Sequence, residues 1–230
     1  PGYFHEGGPE AMLEILNDED KRDELISRMG EINYTDPSGN VWTHIESERN
    51  QQFEGMSFDD VAKIWGISIE QMMARMMVEE NLACGMRVAP PQSVALWRQV
   101  EDDIMQLMAR PDYMVGSDSI PVGGMPHPRA YGCFPRMMGR LRRRHNYPVE
   151  QVIQRMTQNP AERFGLTDRG VIAEGKFADL VIFNSDTVTD RATFEDPKVH
   201  PEGIPQVIVN GKLAVENEQL TGTMTGYAVP

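Results

Sequence analysis

The sequence predicts a mixed α/β protein that ends in β structure, and three observations indicate this fold class. Ser57 and Ser68 each precede apolar residues at helical spacing, which is the signature of capped amphipathic helices. Apolar segments of strand length lie between predicted helices, at residues 41–45 and 113–115. From about residue 165 the chain consists of short apolar runs joined by Gly and Asn turns. We therefore predict two parts, residues 1–164 and 165–230.

The composition is that of a globular protein and argues against several classes of partner. The 230 residues include 40% hydrophobic and 25% charged residues, so the chain is long enough for a core. Twenty-two Lys and Arg face 35 Asp and Glu, and the net charge of −13 disfavours nucleic-acid binding. No apolar run has the length of a membrane span. Cys84 and Cys133 stand alone, without Cys-x-x-Cys spacing, which favours a reducing, cytoplasmic setting.

The first half of the chain is predicted to be mainly helical. Two short helices are expected over residues 9–29, with a break near Asn17, and a turn at 36–40 leads into the strand at 41–45. Helices then begin after Ser57, with Gly66 as the stop, and after Ser68. Methionines recur at helical spacing in the second of these, and we interpret them as adaptable core residues.

A helix over residues 93–109 leads into the predicted strand at 113–115, and Asp118 follows that strand. Parallel β/α proteins present catalytic side chains at the C-terminal ends of strands, so Asp118 lies where chemistry is expected. The residues alone leave a second interpretation open, because Asp in a Gly-Ser-Asp turn often bonds to nearby backbone amides. Arg129 is equally open: its guanidinium could hold a carboxylate through two parallel bonds, or it could be solvated.

The remainder is predicted to contain a loop, three helices and the closing strands. A Pro- and Gly-rich loop over 120–135 precedes a basic helix, whose arginines we expect to form a solvated face. A helix starts at Pro148 and a short one at Asn159. Strands follow at 180–183 and 207–213, with a hairpin turn at Asn210-Gly211.

Four segments in order resemble the D-aminoacylase family, the N-acyl-D-amino-acid deacylases of the amidohydrolase superfamily. They are MVGSDSIP at 114–121, PHPRAYGCFPR at 126–136, MTQNPAERFGL at 156–166 and DRATFE at 190–195. The run DRGVIAEGKFADLVIF at 168–183, followed by VIVNGK at 207–212, is similar to the C-terminal end of amidohydrolases in general. The resemblance is dense from about Gly55 onward.

The resemblance implies the C-terminal part of a metal-dependent (β/α)8 hydrolase barrel, followed by strands of a small β domain. The implied reaction is hydrolysis of the linear amide of a small molecule, an N-acyl-D-amino acid, to a carboxylate and a D-amino acid. In such enzymes Zn²⁺ polarises the carbonyl and acidifies its bound water. The resemblance makes Asp118 the catalytic base that takes the water's proton, and makes Arg129 the substrate-binding residue that grips the α-carboxylate.

The zinc ligands that the family uses, an N-terminal His-x-His pair, a Cys and later histidines, are not found in this chain, whose five histidines are scattered. An eight-stranded barrel also needs about 250 residues. The chain begins at Pro1. We therefore expect a fragment that is inactive alone, whose partner is the missing N-terminal part of the same barrel.

Two alternatives stay open. One keeps the superfamily and changes the substrate to a cyclic amide, as in dihydroorotases and hydantoinases. The other is a metal-free remnant that acts as a subunit or binding module.

Overall fold

The computed structural model describes residues 2–31, 36–90 and 93–229, which form two compact units. The first unit comprises the described residues up to 90 together with 120–127, and the second comprises the others. The first unit contains these elements: α1 (Gly2–His5), α2 (Gly8–Asn17), α3 (Glu19–Glu31), β1 (Val41–Ile45), α4 (Phe58–Trp65), α5 (Ile69–Glu79) and β2 (Cys84–Arg87). The mixed helix and strand content confirms the predicted α/β class.

Helices α4 and α5 begin where their caps predict, and α4 also ends at its predicted stop. The Ser57 hydroxyl accepts a hydrogen bond from the Asp60 amide, and Gly66 ends α4 in the left-handed region with φ of 68°. Ser68 and Gln71 form a reciprocal capping box at the start of α5. The buried faces of both helices pack with β1 in a core of eight side chains: Trp42, Ile45, Phe53, Phe58, Val61, Ala62, Met72 and Met76. The prediction that the α5 methionines fill the core is confirmed.

Strand β1 lies where it was predicted, but its partner was not predicted. β1 pairs antiparallel with β2, from Val41 opposite Arg87 to Ile45 opposite Cys84. No strand was predicted at Cys84, because the run Cys-Gly-Met-Arg lacks the β-branched residues that mark strands. The strand forms through its ladder to β1.

A buried polar cluster fixes the turn after β1 to the end of α5. The Glu80 carboxylate accepts hydrogen bonds from the Ser47 amide at 2.8 Å, the Ser47 hydroxyl at 2.7 Å and Asn50 Nδ2 at 2.7 Å. Burial alone raises the pKa of the Glu80 carboxyl, but these hydrogen bonds outweigh it and leave the pKa below its ordinary value. Glu80 is thus held as a buried, satisfied carboxylate.

The second unit contains five helices and a sheet among its described residues. They are α6 (Val94–Ala109), α7 (Arg129–Arg136), α8 (Arg142–Arg144), α9 (Val149–Met156), α10 (Gln158–Arg163), β3 (Leu180–Ile182), β4 (Gln206–Val209), β5 (Lys212–Glu216) and β6 (Gln219–Leu220). A π-helical segment, Met137–Leu141, joins α7 to α8. Met105, Met108, Met138, Leu141, Val152 and Val188 form the core of this unit.

Two predictions for this unit are wrong. Residues 113–115 do not form a strand, because the Val115 amide donates to the carbonyl of the helical residue Arg155 at 3.0 Å. The predicted loop at 120–135 ends early, because α7 begins at Arg129 and includes Pro135. Pro135 lacks the N–H that the helix would use, and the chain accommodates it just before the wider π turn.

The C-terminal strands form an antiparallel sheet of order β3-β4-β5-β6. Asn210 and Gly211 have φ of 51° and 77°, as the predicted hairpin turn between β4 and β5 requires. The division into residues 1–164 and 165–230 stays a prediction. Among the described residues, no helix combines the length and apolar character needed to cross a membrane.

Candidate active site

The segment that leads to Asp118 is irregular, and side chains from α9 and α10 hold it in place. Arg155 is buried, and its Nε donates at 3.3 Å to the carbonyl of Met108, in the last turn of α6 just before this segment. Asn159 Nδ2 donates to the carbonyls of Pro111 and Tyr113 at 2.7 and 2.8 Å. These bonds, with that from Val115, take the place of the strand ladder that the sequence predicted.

Asp118 itself has an unusual backbone conformation and an open side chain. Its φ is 47°, in the left-handed region that few residues other than Gly adopt. Asp tolerates this region better than most residues, because its short polar side chain can bond locally. The side chain is 88% exposed, so a ligand could reach the carboxylate from solvent.

Arg129 is the first residue of α7, and the structure brings it to Asp118. Arg129 Nη2 lies 3.0 Å from Asp118 Oδ2. Both side chains are partly or largely exposed, so this ion pair adds little to stability. Its significance is geometric: a carboxylate and a guanidinium, eleven positions apart in sequence, face the same point. Such a pair can move a proton and bind an anion side by side.

Cys133 lies one turn beyond Arg129 on α7. Its Sγ donates to the Gly116 carbonyl at 3.8 Å, which joins the helix to the segment before Asp118. Burial raises the pKa of the Cys133 thiol, and the charge of Arg129 offsets this in part. A thiol with a raised pKa is a poor nucleophile, so Cys133 is a packing residue.

The arginines of the basic run are largely exposed, as the predicted solvated face requires, but they also make contacts that were not predicted. Arg140 forms an ion pair with the buried carboxylate of Asp190. Arg142 Nη2 donates to the Ser185 carbonyl at 2.6 Å, and Arg143 Nη1 to the Val188 carbonyl at 2.9 Å. Asp190 was not predicted as a partner of Arg140, because fifty residues separate the two in sequence. The signal that could have identified Asp190 as a functional residue is its position at the start of the DRATFE motif.

No cluster of three or more His, Cys, Asp or Glu side chains among the described residues could hold a metal ion. The described histidines have other neighbours. His44 Nε2 lies 3.2 Å from Glu46 Oε2, and the His200 ring contacts that of Tyr131 edge-on at 5.4 Å between centroids. The described residues therefore do not by themselves fit a zinc ion.

Comparisons with known proteins match this chain to deacylases. A sequence profile described as "Amidohydrolase family" matches residues 55–215, which is more than half of the chain. A D-aminoacylase of Alcaligenes xylosoxydans xylosoxydans is 39% identical over 137 residues, covering 59% of this chain and 28% of that protein. An N-acyl-D-glutamate deacylase of the same organism is 35% identical over 158 residues, covering 68% of this chain and 30% of that protein.

A solved structure is similar over most of the chain. The N-acyl-D-glutamate deacylase of Bordetella bronchiseptica, complexed with zinc and a phosphonate mimic of the tetrahedral intermediate, matches with a TM-score of 0.65 and 34% identity. The match covers 77% of this chain and 34% of that one. This chain thus spans about a third of the length of these relatives.

The comparisons confirm the predicted fold class, part of an α/β barrel followed by strands of a small β domain. They also confirm the resemblance that the four motifs indicated. The profile match includes Asp118, Arg129 and Asp190. The chain belongs to the amidohydrolase family.

Proposed function

We propose that this chain is the C-terminal part of a zinc-dependent deacylase, which hydrolyses the linear amide of N-acyl-D-amino acids to a carboxylate and a D-amino acid. The observation that carries the proposal is the 3.0 Å approach of Arg129 to Asp118 in a chain similar to deacylases. Asp118 would provide the base, and Arg129 would bind the carboxylate of the substrate beside it. The proposed reaction uses both groups.

In the proposed mechanism Arg129 binds the α-carboxylate of the substrate through its fork of N–H donors. This contact orients the amide so that its carbonyl carbon lies near Asp118. The Asp118 carboxylate accepts a proton from the attacking water, which adds to that carbon. Asp118 then returns the proton to the leaving nitrogen, the C–N bond breaks, and the D-amino acid departs as a free amine.

In this proposal the zinc ligands lie outside the described residues. Zinc bound there would polarise the amide carbonyl. We propose that the missing N-terminal part of the same barrel supplies its ligands, and that this chain alone is inactive. The domain boundary near residue 165 is proposed with it. Both cysteines are free thiols, which supports a cytoplasmic location.

A substrate panel tests the proposal in the longer protein that would contain this chain. We expect hydrolysis of N-acetyl-D-amino acids, with little turnover of the L enantiomers, and none of dihydroorotate or hydantoin. Hydantoin has no carboxylate for Arg129 to bind, and dihydroorotate carries its carboxylate on the ring that contains the amide, so neither presents a carboxylate together with a linear amide. Turnover of a cyclic amide alone would favour the alternative amidohydrolase, and no turnover by a zinc-loaded protein would favour the remnant.

A further inference from the structure

The segment at residues 188–192 contains the start of the DRATFE motif. It packs along α7, whose first residue is Arg129, and along the π-helical segment that follows. A Cβ atom added to Gly132 would lie 3.3 Å from Asp190 Cβ and 3.7 Å from Ala192 Cβ. One added to Gly139 would lie 2.0 Å from the Val188 carbonyl oxygen. Glycines at these two positions therefore let the segment approach the helix backbone closely.

Asp190 joins this segment to the helix by charge. Its side chain is only 2% exposed, and its carboxylate accepts from Arg140 Nε at 3.2 Å, from Arg140 Nη2, and from Arg136 Nη1 at 3.4 Å. Arg140 thus binds with its planar fork, a geometry that fixes orientation as well as distance. A buried carboxylate that lost these partners would be strongly destabilised, so the contact constrains the helix.

The backbone beside Asp190 is also anchored on its other side. Thr189 and Glu202 exchange two backbone hydrogen bonds, each of 3.1 Å. A Cβ added to Gly203 would lie 2.7 Å from Val188 Cα. These contacts fix the segment independently of α7. The segment can therefore provide a fixed surface against which α7 packs.

We propose that Asp190 is a positioning residue: through Arg136 and Arg140 it holds α7 in the place where Arg129 meets Asp118. Gly132 lies three residues after Arg129, at a position where even a Cβ would contact Asp190, so a shift of the helix here also moves the Arg129 guanidinium. This inference rests on the proposed function for its catalytic consequence. Its structural consequence, the placement of α7, can be measured without turnover.

The structural test uses the two cysteines of the chain itself. Asp190→Asn keeps the shape and removes the charge, and Arg140→Gln removes the fork from the other side. In both variants we expect Cys133 on α7 to react with iodoacetamide about fivefold faster or more, because local opening exposes the thiol. Cys84 on β2 should react at its wild-type rate. Asp186→Asn, at an exposed carboxylate two residues before this segment, is the matched control and should change neither rate.

The catalytic test uses the longer protein and N-acetyl-D-amino acids. We expect Asp190→Asn to raise KM about tenfold, since small misplacement of a binding group is costly, and to change kcat by less than about twofold. In an Arg129→Ala background Asp190→Asn should add nothing, because the group that it positions is gone. The same should hold for a substrate whose α-carboxylate is replaced by a carboxamide.

Each outcome decides the inference. An unchanged Cys133 rate in both variants overturns it, whether or not the protein hydrolyses the substrate. Faster labelling of both cysteines shows that Asp190 serves the fold as a whole and also overturns it. An additive effect with Arg129→Ala contradicts the proposed route to the substrate. If the wild-type protein shows no deacylase activity, the proposed function fails and the Cys133 rates alone decide the placement of α7.

Discussion

The tightest backbone approach along α7 and the π-helical segment that follows it is at Gly139. Replacing Gly139 by Ala should therefore destabilise the protein. The new Cβ would lie 2.0 Å from the Val188 oxygen and 2.9 Å from the Val188 carbonyl carbon. Non-bonded heavy atoms prefer about 3.5 Å, so the two backbones would have to separate by about 1 Å or more. Val188 is fully buried, and its oxygen already accepts from Arg143 at 2.9 Å.

The expected cost follows from these contacts. Overpacking of this kind costs about 1–3 kcal/mol, and a weakened bond from a charged donor about 1.5–3 kcal/mol more. Together these costs amount to about 2.5–6 kcal/mol, and a value near the lower end, about 3 kcal/mol, corresponds to a Tm lower by about 6–12 °C for a chain of this length. The assay is thermal unfolding followed by circular dichroism. Gly226→Ala is the control, because its Cβ would meet no atom within 4 Å. If Gly139→Ala melted within about 1 °C of wild type, the close packing of this segment against the helix would be refuted.

Two further predictions concern the buried carboxylate of the first unit and the proposed clamp. The folded-state pKa of Glu80 is lowered, so its stabilisation is present above the unfolded pKa of about 4.3 and is lost as pH falls through the folded value. Glu80→Gln should therefore flatten the loss of stability below about pH 4 in urea unfolding, and an unchanged slope would contradict the cluster's role. Arg129→Ala should raise KM for N-acetyl-D-amino acids about 100-fold with a smaller change in kcat, and Arg129→Lys, which keeps the charge but not the fork, should be intermediate. Equal KM values in steady-state kinetics would exclude the clamp.

Local signals in the sequence predicted the helices well because their causes are local. Ser57, Ser68 and Ser93 each accept a bond from a backbone amide three residues ahead, and the residues that do this are few and recognisable. The Asn210-Gly211 hairpin is equally local, since it depends on two residues that tolerate positive φ.

The errors concern structure that depends on distant partners. The strand Cys84–Arg87 forms only because β1 lies beside it, and residues 113–115 lack a strand beside them in the described part of the chain. Pro135 was taken as a loop residue, although the π segment that follows lets the helix contain it. In the sequence the arginines form only a basic run. Their contacts with Asp190 and with the carbonyls of Ser185 and Val188 join parts of the chain that are distant in sequence.

The candidate site was predicted through a resemblance and not through spacing. Composition and periodicity left the roles of Asp118 and Arg129 open, and the family motifs selected them as site residues. The structure brings the two side chains together at 3.0 Å, and their roles stay a proposal.

The most direct test of the account measures kcat for N-acetyl-D-amino acid hydrolysis after Asp118→Asn in the longer protein. The change removes the basic oxygen while keeping the size of the side chain, and we expect kcat to fall about 1,000-fold. Asp112→Asn, an exposed carboxylate paired with Arg110, is the control and should stay within about twofold of wild type. Turnover by Asp118→Asn at the wild-type rate would contradict the assignment of Asp118 as the base.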